Sequence, residues 1–438
     1  MLWWIMKNSR IVSNAKWIIA CKILQSGLQL VVGMLCARYL GPNNYGIINY
    51  ATSILAFALP IMRLGFNETL VHEFVKDPDN EGQVMGTALV LNLASSIVCM
   101  ILVGGFVSVA NRSDTVTITV CVLCSVSMFF GALEMIQYWF QYKLLAKYPS
   151  IVMLISYAVV SAYRIFLLVT SKSIYWFAVT HAIDYGIIGI TLIAVYLTKG
   201  HRLSFSFQRA KTMLHVSKSY ILASMMVVVF QSTDHIMLTT MIGAGENGLY
   251  SAAITCATVT QFVYVAIVDS FRPVIISQKK ENHSDYVKNI SRLYCIIMYL
   301  ALAQAVAFTV LGEFIVKLLY GSEYAGAVII LRILCWQFVF SCMGLVRNVW
   351  ILAEQKQRYL WMINLSGASL NVLLNCLMIP KMGAVGAAFA TLLTQFFANF
   401  IVGFAVKPIR QNNLLLLQGV SPTMFIAEVK NIGKLLRK

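Results

Sequence analysis

The chain has 438 residues, of which 59% are hydrophobic and only 12% are charged, and its formal net charge is +17. An ordinary soluble domain carries about 25% charged residues, so this composition excludes a water-soluble globular protein and indicates an integral membrane protein. In such a protein the excess of lysine and arginine reports topology and affinity for anionic headgroups, and it is not evidence of nucleic-acid binding.

Twelve long apolar runs follow one another along the chain. A helix that crosses about 30 Å of hydrocarbon needs about 20 mostly apolar residues, and each run is long enough. The runs lie near 17–37, 45–64, 84–109, 115–138, 150–170, 174–197, 219–242, 248–270, 292–312, 327–351, 359–379 and 384–406. The sequence therefore predicts an all-α integral membrane protein with twelve transmembrane helices.

The first run resembles a signal peptide in position but not in length. It covers 21 residues, carries Lys22, and leads directly into the second run. The apolar part of a signal peptide is shorter, about 7–15 residues. We therefore interpret 17–37 as a retained first span.

Lysine and arginine counts in the loops predict the orientation. If the N-terminus is cytoplasmic, the cytoplasmic loops and termini hold 25 of these residues and the opposite side holds five. The remaining four of the 34 lie within spans. Because positive residues concentrate on the cytoplasmic side of membrane proteins, we expect both termini to be cytoplasmic.

The loops divide the chain into two similar parts. No loop exceeds about 20 residues, which leaves no room for a soluble catalytic domain. The longest loop is basic and amphipathic, and it falls midway along the chain. We predict an N-terminal six-helix lobe at 1–200, a cytoplasmic linker at 201–218, a C-terminal six-helix lobe at 219–406 and a basic cytoplasmic tail at 407–438. The tail is interpreted either as a helix lying on the membrane surface or as a disordered basic segment.

Two polar turns at equivalent positions suggest an internal repeat. ARYLGPNNYGIINYA ends at Ala51, and TTMIGAGENGLYSAA ends at Ala253. With an offset of 202, Gly41 aligns with Gly243 and Gln29 aligns with Gln231. An even number of spans per repeat gives both copies the same orientation, as in parallel-repeat transporters. We therefore expect two lobes related by a parallel repeat, with a central transport pathway.

Four stretches resemble a known family. They are KILQSGLQLVVGMLCARYLGPNNYGIINYATSI, IMRLGFNETLVHEFVK, the following GTAL, and LMIPKMGAVGAAFATLL near the C-terminus. They are similar to the Wzx-type O-antigen and oligosaccharide flippases, polysaccharide biosynthesis proteins of the MATE-like multidrug/oligosaccharidyl-lipid/polysaccharide exporter superfamily. The resemblance extends over the whole length in the number and spacing of spans, and it is most specific in the first hundred residues.

The resemblance implies a MATE-like fold of two six-helix lobes and a transport function. Such proteins move an undecaprenyl-diphosphate-linked oligosaccharide from the cytoplasmic to the periplasmic leaflet of the bacterial inner membrane. The implied partners are that lipid-linked substrate, membrane lipids, and the polysaccharide polymerase and chain-length machinery. The identity of the sugar is not specified by the resemblance.

Cationic and amide side chains within the spans, together with Arg63 at the cytoplasmic end of the second span, are candidates for substrate binding. Ionisable groups are costly inside a membrane and mark transport pathways by default. A lipid diphosphate carries about two negative charges, and guanidinium groups match phosphate oxygens with paired hydrogen bonds. The candidates for the diphosphate and sugar are Lys22, Gln29, Arg63, Arg164, Gln231, Arg332 and Arg347.

Acidic residues within the spans allow two interpretations. They are either salt-bridge partners for the cations or protonation sites for ion coupling. The acids concerned are Glu134, Asp184, Asp234 and Asp269. His181 and His235 lie close to two of them in sequence, but two such residues per helix are too few for a metal site. We expect no metal and no cofactor.

Two other functions are considered. A multidrug or cation antiporter of the same fold is the closer alternative, although its cavity would carry acids with few cations. A membrane polymerase or glycosyltransferase is less compatible, because it needs a reactive group of residues in a sizeable outside loop. No GxxxxGK[ST] loop occurs, so ATP is not expected to drive transport directly.

Overall fold

The computed structural model describes residues 9–112 and 114–426, with side chains from Leu24 onward except at Ser113, Ala223 and Lys280. All regular secondary structure in this part of the chain is helical. The principal helices are α1 Ser9–Met62, α2 Phe66–Lys76, α3 Glu81–Ala110, α4 Thr115–Glu134, α5 Gln137–Tyr142, α6 Lys147–Val169, α7 Ile174–Lys199, α8 Phe207–Met241, α9 Ala244–Thr258, α10 Gln261–Glu281, α11 His283–Tyr320, α12 Ala327–Ala353, α13 Leu360–Phe396, α14 Val402–Ala405 and α15 Arg410–Val420.

Ten helical segments of the described chain are long and apolar enough to cross a membrane. This confirms the predicted all-α membrane protein. Two of these segments, Leu24–Lys76 and Gln357–Ala405, contain 53 and 49 residues, which is more than twice the length needed for one crossing. Each is broken at a glycine with a left-handed φ, 71° at Gly41 and 55° at Gly383. Each could therefore hold two spans, and the count of twelve stays a prediction.

The chain forms two compact units, Met1–Ser232 and Thr233–Lys438. The division falls inside α8, whereas the sequence analysis placed the boundary in the linker 201–218. The predicted lobes, including the repeat that relates them, remain a prediction. Gly243, the residue aligned with Gly41, has φ 143°, so both aligned turns use a backbone conformation that favours glycine.

The predicted linker is attached to the first unit as a strap, which we define as residues 201–217. Ser204 N–H donates to Gly82 O at 3.2 Å, and Ser206 N–H donates to Thr87 Oγ1 at 3.1 Å. A Cβ atom on Gly82 would lie 2.2 Å from Arg202 O, so only glycine permits this approach. From Phe207 onward the strap is the first part of α8, which continues to Met241.

The second unit has its apolar core around α11, α12 and the C-terminal helix. The core side chains include Tyr294, Met298 and Trp350, all at most 3% exposed. Helix α15 packs against α11, where Tyr294 Oη donates to Asn412 Oδ1 at 2.9 Å. The first part of the predicted tail is therefore a packed helix, and residues 427–438 lie outside the described residues.

Candidate functional site

An ion pair joins Arg63 to Glu134 in the first unit. Arg63 follows α1 in a turn whose next two residues, Leu64 and Gly65, have φ of 52° and 72°. This turn aims the guanidinium at the end of α4, where Arg63 Nη2 lies 3.0 Å from Glu134 Oε2. Of the two interpretations given for Glu134, the structure shows the geometry of a salt-bridge partner.

Arg164, on α6, is held by a neutral side chain. Its Nε and Nη2 donate to Thr180 Oγ1 on α7, at 3.2 and 3.0 Å. Asp184 lies one turn further along α7, but its carboxylate accepts from Ser156 Oγ at 2.6 Å. Among the described residues no ion pair links Arg164 to an acid. Its positive charge is therefore not matched by a protein carboxylate in hydrogen-bonding contact.

A small cavity lies inside the first unit. Its volume is about 100 Å³, and its polar lining includes Thr52, Ser127, His181 and Tyr185 from α1, α4 and α7. Pockets for drug-sized ligands have volumes of about 300–1,000 Å³, and one water occupies about 30 Å³ of liquid. This cavity has room for a few water molecules and not for a sugar unit.

Asp234, on α8, is the centre of a buried polar network in the second unit. The residue is 4% exposed. Its Oδ2 accepts hydrogen bonds from Tyr250 Oη and Thr391 Oγ1, both at 2.6 Å. Its Oδ1 accepts a hydrogen bond from Asn375 Nδ2 at 2.5 Å. Among the described residues, no cationic side chain forms an ion pair with this carboxylate. The surroundings of Asp234 are therefore not those of a salt bridge.

The break in α13 allows two of these donors to reach the same carboxylate. On a straight helix, Asn375 and Thr391 would be about 24 Å apart along the axis, yet both contact Asp234. The chain therefore folds back at Gly383. Glu246 stabilises the new helix start, because its Oε2 accepts from Ala384 N–H at 2.7 Å.

Arg347, on α12, is enclosed in the second unit. It is 6% exposed, and its Nη1 donates to Ala398 O at 3.1 Å and to Asn399 Oδ1 at 2.9 Å. Both acceptors belong to a π-helical turn, Phe397–Ile401. Asn413 of α15 donates to the same turn, at Phe400 O, at 2.6 Å. The guanidinium thus supports an irregular part of the backbone rather than facing an open cavity.

The remaining predicted residues occupy separate surroundings. Gln29, Gln231 and Arg332 are exposed. Asp269 forms an exposed ion pair with Arg272, three residues further along α10, at 2.8 Å. The side chain of Lys22 lies outside the described residues. The structure therefore brings the predicted site residues together only in small groups within each unit.

Several polar residues in these groups were missed by the sequence analysis. Tyr250 and Thr391 complete the Asp234 network, although both lie in stretches quoted for other reasons, GLYSAA and FATLL. Buried Glu81 accepts from Trp139 Nε1 at 2.9 Å and from Lys143 Nζ at 2.5 Å. The sequence does show an acid at the start of an apolar run at Glu81. Its partners could not be predicted, because they lie about 60 residues away and no sequence pattern links them to Glu81.

A second charged cluster missed by the sequence analysis lies just after α12. Burial alone would raise the pKa of Glu354, but hydrogen bonds donated by Lys279 and Tyr286 outweigh it and hold the pKa below its ordinary value. Tyr286 Oη donates to Glu354 Oε1 at 2.8 Å, and Lys279 forms an ion pair with the same oxygen. This cluster ties α10, α11 and the end of α12 together, which is a structural role.

The sequence is similar to proteins of polysaccharide biosynthesis. The profile of a family described as polysaccharide biosynthesis protein matches residues 35–329. The capsular polysaccharide biosynthesis protein CapF of Staphylococcus aureus is 22% identical over 402 residues, which cover 88% of this chain and 97% of CapF. The probable low-salt glycan biosynthesis flippase Agl15 of Haloferax volcanii is 22% identical over 198 residues, covering 45% of this chain and 42% of Agl15.

The fold is similar to those of solved membrane transporters. The lipid II flippase MurJ in an inward closed conformation superposes with a TM-score of 0.73 at 14% identity, covering 94% of this chain and 92% of MurJ. An inward-facing multidrug resistance MATE transporter of the MOP superfamily superposes with a TM-score of 0.68 at 13% identity, covering 91% of this chain and 96% of the transporter. At these identities the likeness establishes the fold.

Proposed function

Because the chain belongs to the polysaccharide biosynthesis protein family, we propose that it is a flippase for a lipid-linked oligosaccharide. The proposed substrate is an undecaprenyl-diphosphate-linked O-unit or a similar polysaccharide repeat, moved from the cytoplasmic to the periplasmic leaflet of a bacterial inner membrane by alternating access. Two similar proteins, Agl15 and MurJ, are themselves named flippases. These names support a transporter rather than an enzyme. A polysaccharide polymerase and its chain-length machinery are proposed as partners downstream.

The observation that carries the proposal is the surroundings of Arg164. A guanidinium in a spanning helix is costly unless its charge is compensated, and Thr180 offers it only a neutral hydroxyl. Asp184 interacts with the guanidinium electrostatically without forming an ion pair. A diphosphate would be a direct anionic partner that accepts paired hydrogen bonds. We therefore place Arg164 first among the diphosphate contacts, with Lys22 and Arg63 as further cations and with Gln29 and Gln231 as sugar contacts. Arg347 is left out because its guanidinium is enclosed.

Flipping in vesicles tests the proposal. The full chain is reconstituted with a fluorescent undecaprenyl-diphosphate oligosaccharide, and the fraction exposed to an external quencher is followed over time. Loss of one charge-assisted contact costs about 1.5–3 kcal/mol, so we expect Arg164→Gln to raise the half-saturating substrate concentration by roughly 10- to 100-fold. Arg164→Lys retains the charge without the fork geometry and should be intermediate. The matched control is Lys172→Gln, which removes an exposed cation between α6 and α7.

The same vesicles separate this function from that of a cation antiporter. A flippase accelerates movement of the lipid-linked oligosaccharide and leaves a cationic dye in place. Movement of the dye with no effect on the lipid would contradict the proposal and favour the antiporter. Unchanged substrate affinity in Arg164→Gln would remove Arg164 from the diphosphate contacts.

A further inference from the structure

One exposed surface of the second unit carries an arginine among apolar side chains. The surface, which we call the α11/α12 face, is formed by the last third of α11 and the start of α12. Its exposed apolar members are Val306, Val310, Leu311, Phe314, Leu318 and Ile329. Apolar side chains on the surface of a membrane protein are suited to contact with lipid tails. Arg332 is exposed on this face.

Thr309 fixes the orientation of Arg332. The Nε of Arg332 donates to Thr309 O at 3.1 Å, and the indole Nε1 of Trp336 donates to Thr309 Oγ1, also at 3.1 Å. Trp336 is 38% exposed and lies one turn further along α12. Because only Nε is used in these bonds, the two terminal amino groups of the guanidinium extend beyond Thr309.

Arg332 lies near the start of α12 and packs against the last third of α11. On α11 beyond Leu311, the exposed charged side chains Glu313 and Lys317 alternate with the exposed apolar side chains Phe314 and Leu318. The side chain of Arg332 crosses to α11 between Thr309 and Gly312, since its Cγ lies 3.9 Å from the position of a Cβ on Gly312. Trp336 lies one helical turn further along α12, and its indole ring is amphipathic, as is typical of residues at a membrane interface.

Among the described residues, no acid pairs with Arg332. Glu313 is the acid on α11 next to Gly312, where Arg332 packs, and the side chains of Glu313 and Arg332 form no ion pair. A guanidinium on a membrane-spanning helix needs an anion or water to compensate its charge. The two terminal amino groups of Arg332 match two phosphate oxygens. The adjacent exposed Lys317 adds positive charge toward the end of α11.

We propose that Arg332 and Trp336 form a binding site for the phosphate of a lipid in the leaflet that the predicted topology makes periplasmic. The phosphate lies against the guanidinium, the glycerol passes Trp336, and the acyl tails cover the apolar α11/α12 face. The occupant we propose is an anionic phospholipid, whose phosphate complements the charge of Arg332; binding of the diphosphate-linked polyprenol instead is an outcome of the test. The site itself is independent of the proposed flipping function.

Lipid retention measured by native mass spectrometry tests the site. The full chain is purified from nanodiscs of mixed phosphatidylglycerol and phosphatidylcholine, and the lipids retained per protein are counted. We expect retention of phosphatidylglycerol in Arg332→Gln to be about tenfold weaker than in the wild type. Arg332→Lys should lie between the two, and Lys381→Gln, an exposed cation elsewhere in the same unit, should match the wild type. Equal retention in wild type and Arg332→Gln overturns the proposal.

A second measurement needs no change at Arg332. In the wild-type protein, phosphatidylglycerol brominated near its headgroup should quench tryptophan fluorescence more than the corresponding phosphatidylcholine, and Trp336→Phe should abolish the difference. Retention of undecaprenyl diphosphate without retention of phosphatidylglycerol in the first measurement would overturn the assignment to a phospholipid. No difference between the two brominated lipids overturns the site, even if flipping of the oligosaccharide is observed. Conversely, failure of flipping leaves this quenching difference unaffected.

Discussion

At the scale of single residues, Asp234 is the acid whose surroundings fit ion coupling. Its carboxylate accepts three hydrogen bonds from neutral groups, one each from Tyr250, Asn375 and Thr391. Among the described residues no cationic side chain forms an ion pair with this carboxylate, so we propose it as the site at which a coupling ion acts. Glu134, by contrast, forms an ion pair with Arg63.

Asp234→Asn tests this assignment. Asparagine keeps the shape of the side chain, and its amide can hydrogen-bond the hydroxyls of Tyr250 and Thr391, so we expect normal protein levels. The part of the flipping rate that responds to an imposed pH or cation gradient should disappear, while the part that responds to membrane potential persists. Glu134→Gln is the control. It removes a carboxylate that is paired with Arg63, whereas Asp234→Asn removes one that has no ion-pair partner among the described residues. An undiminished response to the gradient in Asp234→Asn would contradict the coupling role.

At the scale of elements, the end of the last predicted span is an irregular helix held by side chains from two neighbours. The π-helical turn Phe397–Ile401 receives hydrogen bonds from Arg347 of α12 and from Asn413 of α15. Single π turns inside α-helices are frequent at functional sites. Here the additional donors fix the irregular turn in one register, and they also attach the C-terminal helix to the unit.

Arg347→Met is expected to destabilise this element rather than to weaken substrate binding. Methionine fills a similar volume, but Ala398 O and Asn399 Oδ1 lose their donor, and each unsatisfied buried acceptor costs about 1–3 kcal/mol. Thermal unfolding in detergent should show a lower midpoint, and Asn413→Ala should produce a similar shift because it acts on the same turn. The half-saturating substrate concentration should stay at the wild-type value. A large increase in that concentration with normal stability would instead place Arg347 in the substrate path.

The strap has contacts with the first unit that its sequence did not predict. Residues 201–218 were predicted to be an amphipathic linker between lobes, and their structure includes a close approach of Arg202 to Gly82. Arg209 pairs with Asp77, and Thr69 and Ser217 share a hydrogen bond of 3.0 Å between their hydroxyls. Both ends of the strap are therefore attached to the first unit.

At the scale of the whole molecule, the charge of the proposed substrate predicts the driving force. A diphosphate headgroup carries about two negative charges, and transfer of one charge through 100 mV is worth about 2.3 kcal/mol. A cytoplasm that is negative by 100 mV would therefore favour outward movement of the headgroup by about 4.6 kcal/mol. This estimate assumes that the protein cations remain in place and that no counter-ion crosses.

Vesicles with separately controlled potential and pH gradient distinguish the two sources of energy. We expect that collapsing the potential at constant pH slows flipping of the lipid-linked oligosaccharide more than collapsing the pH gradient alone. An uncharged lipid-linked sugar serves as the control, because its movement should not respond to potential. The reverse ranking would make the acids, with Asp234 first, the principal source of coupling.

The sequence by itself determined the class of the protein and the position of its apolar segments. Both depend on the composition and length of continuous runs, which are read along the chain without knowledge of contacts. The apolar segments of the described chain overlap each of the predicted runs, and the glycine at position 41 of the polar turn has the left-handed φ that such a turn requires. The family resemblance was likewise carried by local motifs, and the family profile confirms it.

Only the tertiary structure decided which polar residues meet. Asn375 and Thr391 reach one carboxylate because the chain folds back at Gly383, and no periodicity in the sequence predicts the rotation of one helix against another. The same applies to the four predicted cations with described partners: Arg63 faces a carboxylate, Arg164 a hydroxyl, Arg332 an apolar surface and Arg347 a π-helical turn. Residue type specified their charge, but the groups that contact each guanidinium come from other helices, whose packing the sequence does not specify.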